Sequence, residues 1–433
     1  MAMDGKELVE KLAKLSQVQS IKDIPHLTHA LFPGTHCPLM GAAMAVGGIK
    51  DSLIVVVGTD ECTYYTKSMT IHSEKFGGID GRCVSVVLDD HDVTFGSAEK
   101  VQEAFKEIIE EYRPQCVFLV TTCVIEIIGD DFDAISEGLS KLYGIPVLPV
   151  HTEHFKCEDH LPGLERTITV CAEMMKSCDC DNSVNLLGQR MGDFATTELY
   201  AMLQKAGVKI GLQLPCGCSV DDIKNAAAAK VNIVVNDIAL PLAQKMQEKF
   251  GIPYVYFNKF VIPEKIYEAY KNLFVYLDLE LPGELEGLYQ NAREKIEKNK
   301  GELEGITYIY GNTPYAVFEM NCFLSSLGMV PQVIQTNRYT EADEPYAKEI
   351  LQYTDPYVCK AANIAPLQYV YDVLSPYLYL GHEFGNRLRQ KGIAIVHSDR
   401  ASGMLGFEVT GYLLQQLVKS VREAKEYRKE LGL

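Results

Sequence analysis

The chain has 433 residues, 47% of them apolar and 23% charged, a globular composition whose length points to about three domains. Its 58 acids against 41 bases leave a formal charge of -17, which argues against a nucleic-acid partner, since that role needs a basic face to displace counterions. No apolar run reaches the roughly 18 to 20 residues that cross a bilayer. Met1 to Gln17 reads as a charged, helix-like stretch rather than a secretory signal, so the expected setting is cytoplasmic, without a membrane.

Short β-branched runs alternate with longer helical patterns, the signature of parallel sheets flanked by helices. In chain order the predicted strands are Leu53–Val57, Cys116–Val120, Val147–Val150, Val184–Leu187, Val208–Leu212, Asn232–Val235, Tyr254–Phe257, Thr307–Tyr310, Gln332–Gln335 and Ile393–Val396. Their nearly continuous apolar character fits strands covered on both faces. Gly-Ile-Pro at 144–146 and 251–253, and Gly-Ile-Ala at 392–394, each close a helical pattern and open a strand, with glycine suited to the left-handed cap. The polar stretch Ser177–Ser183 and the charged stretch Glu284–Glu304 mark two boundaries. They divide the chain into α/β units at 1–183, 184–304 and 305–433, the last ending in an amphipathic helix from Tyr412 to Leu433.

Thirteen cysteines in a reducing compartment are either small buried hydrophobes or ligands and nucleophiles. In parallel α/β sheets, functional groups collect just beyond the carboxyl ends of strands. Cys62 follows the strand Leu53–Val57, and Cys123 follows Cys116–Val120. Cys37 precedes Gly41-Ala42-Ala43-Met44-Ala45, a segment small enough to pack closely against whatever Cys37 holds. Cys83, Cys116 and Cys322 read as buried thiols instead. Thiolates are soft donors suited to iron, yet three are one short of the four ligands an iron–sulfur cubane takes. A fourth ligand from a partner and three matched by three across a dimer interface are both open. The spacing, with 24 residues between the first pair and 60 between the second, does not choose between them.

At these residues the chain resembles a known family. Cys37-Pro-Leu-Met-Gly-Ala, Gly58-Thr-Asp-Glu-Cys62 and Thr121-Thr-Cys123-Val-Ile-Glu-Ile-Ile-Gly129-Asp-Asp131 are similar to motifs of the nitrogenase component 1 family. The likeness continues through Val184-Asn-Leu-Leu-Gly188, Lys230-Val-Asn-Ile-Val-Val235 and Glu248-Lys-Phe-Gly-Ile-Pro253, and so covers nearly the whole chain. That family takes in both nitrogenase subunits, the scaffolds that mature its cofactor, dark-operative protochlorophyllide reductase subunits, and reductases of nickel tetrapyrroles or thioethers. The resemblance implies an α/β fold of three Rossmann-like parallel-sheet domains around a central cleft. It implies that Cys37, Cys62 and Cys123 hold an iron–sulfur cluster, of 4Fe–4S or 8Fe–7S type, at the interface with a homologous or identical component 1 subunit. It further implies electrons arriving from an ATP-dependent iron-protein reductase.

Departures from the family matter. Near Ala243, where nitrogenase carries a cofactor-anchoring cysteine before the second Gly-Ile-Pro, no cysteine stands, and Thr70 replaces an expected arginine. A catalytic α-type nitrogenase subunit is therefore disfavoured. Cys216-Gly-Cys218, after the strand Val208–Leu212, reads either as a cofactor-binding pair facing the cleft or as a tight turn with incidental thiols. The array His151, His154, Cys157, His160 invites a zinc reading, but threefold spacing cannot aim all four side chains at one point. His154 and His160 are taken instead as proton donors or cofactor contacts. His397, after the strand Ile393–Val396, lies two residues short of nitrogenase's cofactor histidine and carries the same expectation. Gly188-x3-Gly192 lacks the rest of a dinucleotide fingerprint and no Walker loop occurs, so any ATP chemistry belongs to the partner.

The resulting expectation is a nitrogenase-like iron–sulfur oxidoreductase subunit that passes electrons to a substrate or metallocofactor in the cleft. Two alternatives stand beside it. One is a non-catalytic scaffold for cofactor assembly; the other is a tetrapyrrole-modifying or thioether reductase, which would bind a tetrapyrrole in place of a second metallocofactor.

Overall fold

Apolar runs that must hide both faces dictate the architecture of the computed structural model, which describes residues 4–27, 37–71, 81–157, 159–190, 192–257, 261–311, 316–360 and 364–433. Two short strands come first, Ala13–Lys14 (β1) and Ile49–Lys50 (β2). Ser52–Gly58 (β3), Cys83–Val87 (β4), Cys116–Thr121 (β5) and Val147–Val150 (β6) form a parallel sheet of order β4-β3-β5-β6. Val184–Gln189 (β7), Ile210–Pro215 (β8), Val231–Val234 and Tyr254–Tyr256 form a second parallel sheet. With Cys218–Ser219 as β9, the last two are β10 and β11, and the order is β11-β10-β7-β8.

Thr307–Tyr310 (β12), Val330–Gln335 (β13), Tyr357–Cys359 (β14), Leu378–Leu380 (β15) and Ala394–Val396 (β16) build the third sheet. Its order is β1-β14-β13-β12-β15-β16, parallel throughout except for β1. All ten strands expected from sequence are present, with ends that differ from the predicted ones by a few residues at most. Cys83–Val87, Tyr357–Cys359 and Leu378–Leu380 were not foreseen, being a partly exposed edge strand and two three-residue strands too short to leave a pattern.

The N-terminal stretch is placed differently from the sequence expectation. Grouped with the unit 1–183 by chain order, it instead closes the third sheet, with β1 antiparallel to β14 and Ala13 opposite Val358. Leu8 and Leu12 are buried in one core with third-sheet side chains such as Ile309 and Val333, and Lys14 lies over the Tyr357 ring at 3.6 Å. Burial of these leucines, worth roughly 2 kcal/mol each, outweighs adjacency along the chain.

One core joins the first two sheets. Ile54, Val56 and Phe118 of the first share it with Leu187, Leu212 and Val234 of the second. The helices Pro38–Gly47 and Leu161–Val170 fill the space between and meet through glycine. A Cβ on Gly163 would lie 1.8 Å from the Pro38 carbonyl oxygen, and one on Gly41 1.9 Å from that of His160. Gly41, among the small residues after Cys37, thus makes room for a helix. Among the described residues no helix is long and apolar enough to cross a membrane.

Candidate metal centre and interdomain cleft

The three candidate cysteines all sit where a loop becomes a helix on the carboxyl side of the first sheet. Cys37 is the N-cap of the Pro38–Gly47 helix, with an extended backbone and no capping bond from its side chain. Cys62 is the third residue of the Asp60–Ile71 helix after β3, and Cys123 opens the Cys123–Ile128 helix after β5. All three are free and half-buried. Burial pushes the Cys123 thiol up, and the neighbouring sulfurs of Cys62 and Cys37 push the same way, so each lies close enough to act on it.

Glycine makes this convergence possible. Gly58 ends β3, and a Cβ there would stand 2.0 Å from the Thr122 hydroxyl, so only glycine lets the Cys62 and Cys123 loops touch. The rest of the third motif is structural. Gly129 ends its helix in the left-handed region at φ 81°, and Asp131 caps the Phe132–Tyr143 helix. The Asp130 carboxylate accepts from the Ser97 amide (2.7 Å) and hydroxyl (2.5 Å).

The donor set fits an iron–sulfur cluster better than a lone metal ion. Zinc at about 2.3 Å from each thiolate would hold sulfurs within about 4 Å of one another. The three sulfurs here do not all fall within 4.8 Å of each other. A larger inorganic core, with soft thiolates at its corners, does not require such closeness. Tyr64, Phe95 and Ile127 are exposed on the helices around the cysteines, at 73%, 76% and 71%, an apolar rim of the kind interfaces bury.

The loop after β6 carries the histidine array and disperses it. His151 Nε2 lies 3.2 Å from Asp133, and His154 is exposed, edge-on to Phe155. The Cys157 thiol donates to the Thr152 carbonyl (3.6 Å), and His160 is the N-cap of the Leu161–Val170 helix. Burial raises the Cys157 thiol, while Arg166 draws it down. Among the described residues, no three of these four bring ligand atoms within 4.8 Å of one another.

The cysteines at 216 and 218 part company. The Cys216 thiol is half-buried and donates to the Arg190 carbonyl (3.3 Å). Gly217 turns through φ 91°, and Cys218 enters β9, which pairs with β2 in the shared core. Burial pushes the Cys218 thiol up to about 12. His397, past β16, is exposed, and its carbonyl accepts from the Tyr412 hydroxyl (3.4 Å). It lines a small open cavity with His382, Glu383 and Asp399. Ala243 is buried in the Leu240–Phe250 helix.

Sequence reasoning missed a charged cluster beyond strand ends of the second and third sheets. Arg190 follows β7, Asp237 follows β10 and Arg338 follows β13, and Arg338 reaches Asp237 across units at 3.8 Å. Burial lowers the Arg190 guanidinium, while Asp237 and the Cys216 sulfur favour its charge. Glu165 and Asp343 are raised, by burial first. The available signal was position, since each of the first three stands within three residues of a strand's carboxyl end. A buried carboxyl stands apart from this cluster on the Val317–Ser326 helix. Glu319 is 4% exposed and burial pushes its carboxyl up to about 7, opposed by Lys265.

The sequence profile of the family described as "Nitrogenase component 1 type Oxidoreductase" matches residues 37–422. The chain is 31% identical over 224 residues to the nitrogenase iron-molybdenum cofactor biosynthesis protein NifE of Clostridium pasteurianum, covering 51% of this chain and about half, 49%, of that relative. It is 25% identical to the NifE protein of Rippkaea orientalis over 73% of this chain and 69% of the relative. To the nitrogenase molybdenum-iron protein alpha chain of Methanosarcina barkeri it is 25% identical over 68% and 58%. Among solved structures, "Nitrogenase Cp1 at pH 6.5" superposes with a TM-score of 0.75 at 15% identity, covering 92% of this chain and 94% of the other, a likeness of fold.

Proposed function

The chain belongs to the nitrogenase component 1 type oxidoreductases, and on that premise we propose that it is one subunit of a nitrogenase-like reductase. Electrons from an ATP-dependent iron-protein partner would reach a substrate or metallocofactor in the interdomain cleft. Cys37, Cys62 and Cys123 hold an iron–sulfur cluster, and the observation that carries the reading is that all three stand half-buried at helix starts, Cys62 and Cys123 just past neighbouring strands of the first sheet. When bound, such a cluster supplies one-electron storage at low potential.

The residues themselves hold, cover and balance charge. The exposed rim of Tyr64, Phe95 and Ile127 would be buried against an identical or homologous subunit, excluding water from the thiolates. In the cleft, Arg190 and Arg338 offer cationic donors to an anionic ligand, with Asp237 setting the orientation of Arg338. His154, His160 and His397 are the candidates for proton delivery, and Cys216 is the one sulfur of its pair left outside the core.

A second reading, an assembly scaffold for a metallocofactor, is favoured by the NifE proteins among the relatives. Both readings need the same cysteines. Anaerobic reconstitution with iron counting and electron paramagnetic resonance tests the shared part: a chain that takes up no iron would end both. Turnover with an iron-protein partner supports the reductase. Tight holding and transfer of a cofactor, without turnover, supports the scaffold.

A further inference from the structure

Glu126 sits three residues after Cys123 on the same short helix, and its carboxylate gathers donors from two strand ends. The Thr121 hydroxyl (2.9 Å), the Thr152 hydroxyl (3.0 Å) and the Glu153 amide (2.5 Å) all donate to Oε1, and the His154 amide donates to Oε2 (3.2 Å). Thr121 closes β5, whereas Thr152 to His154 lie in the loop after β6, so one side chain staples the cysteine-bearing helix to the histidine-bearing loop.

Arg166 grips the same loop from the other side. Its Nη1 donates to the Thr152 carbonyl (2.6 Å) and the His151 carbonyl (3.2 Å), and its Nη2 pairs with the Glu153 carboxylate at 2.5 Å. Arg166 belongs to the Leu161–Val170 helix, which packs its Gly163 against the Pro38 carbonyl of the helix that Cys37 caps. The left-handed backbone of Glu153 (φ 44°) is the strain expected of a turn held by contacts at both ends. Hydrogen bonds to a charged acceptor are the stronger kind, and four on one carboxylate leave the loop little freedom.

We propose that Glu126 is a positioning residue that locks the Cys123 helix to residues 152–154, so that the cysteine set and the histidine loop move as one piece. The clamp stands on the hydrogen bonds alone; its relevance to a cluster rests on the function proposed above. Glutamine at 126 keeps an oxygen for Thr121, Thr152 and Glu153 and loses only the bond from His154, whereas alanine releases all four.

The test is site-resolved alkylation of the full-length, metal-free chain, with the exposed Cys178 and Cys180 as internal standards. In Glu126→Ala, which releases all four donors, Cys123 and Cys157 should react about a hundredfold faster, with the standards unchanged. Glu126→Gln, which loses only the His154 bond, should return both to within about tenfold of wild type, a rescue that a packing defect would not show. Thr152→Val removes a single arm, should give a smaller rise at the same two thiols, and decides the matter if Glu126→Ala loses its cooperative melt. Equal rates at Cys123 and Cys157 in all folded variants would overturn the proposal. In parallel, reconstituted Glu126→Ala should yield its iron to a chelator faster than wild type. A wild-type chain that takes up no iron would sink the cluster assignment, while the alkylation rates still judge the clamp.

Discussion

The first and second sheets both place cysteines just past the carboxyl ends of parallel strands, yet they dispose of the sulfurs in opposite ways. After β3 and β5 the chain turns directly into helices, leaving Cys62 and Cys123 half-exposed beside Cys37. After β8 it makes one tight turn at Gly217 and returns as β9, which carries Cys218 into the core with its thiol at about 12. Position after a strand is therefore not sufficient to mark a thiol as a candidate ligand. The next element along the chain decides: a helix start leaves the sulfur at the rim, whereas a returning strand spends it on packing.

The largest expected effect tests that contrast directly. Cys62→Ala or Cys123→Ala should cut iron bound after anaerobic reconstitution by more than about tenfold, while Cys218→Ala leaves it unchanged. Equal losses in all three would erase the distinction.

Next is the helix pair that supports Cys37. Gly163→Ala drives a methyl to within 1.8 Å of the Pro38 carbonyl and should cost about 3 kcal/mol in denaturant unfolding, with iron uptake lowered in the folded fraction. A neutral result would mean that the two helices separate cheaply.

The third sheet offers a contrast in pH. Glu319 moves from 4.5 to about 7 on folding. Between those values the folded chain keeps a proton that the unfolded chain has released, so stability falls as pH rises through the window. Glu319→Gln should flatten that decline, gaining roughly 1–3 kcal/mol at pH 8 over wild type, measured by denaturant midpoints from pH 5 to 8. Parallel curves for the two chains would show that Lys265 already offsets the burial.

The smallest effect belongs to the second sheet's buried thiol. Cys218→Ala should lower stability by about 1–2 kcal/mol, the usual loss for emptying a small apolar site, without altering any spectroscopic signal of the first.

Much of this was legible in the chain of residues. Ten strands of the three sheets and the family rested on local runs and motifs that carry their meaning within about ten residues, as does the proposed set Cys37, Cys62 and Cys123. Glu126 stood inside a recognised motif with no sign of its four donors, because three of its partner residues lie in a loop some 26 to 28 residues further on. The N-terminal strand went unread for the same reason, since its partner is more than 300 residues away.

By itself the sequence determined what repeats locally: apolar runs that must become covered strands, glycines at their joints, and soft donors beyond the strand ends. Only the tertiary structure decided which of those donors meet, that Arg338 reaches Asp237 across two units, and that Cys218 serves the core. The physical reason is that strand formation answers to neighbours along the chain. Convergence of side chains answers to how sheets stack, and that is set by contacts between residues far apart in sequence.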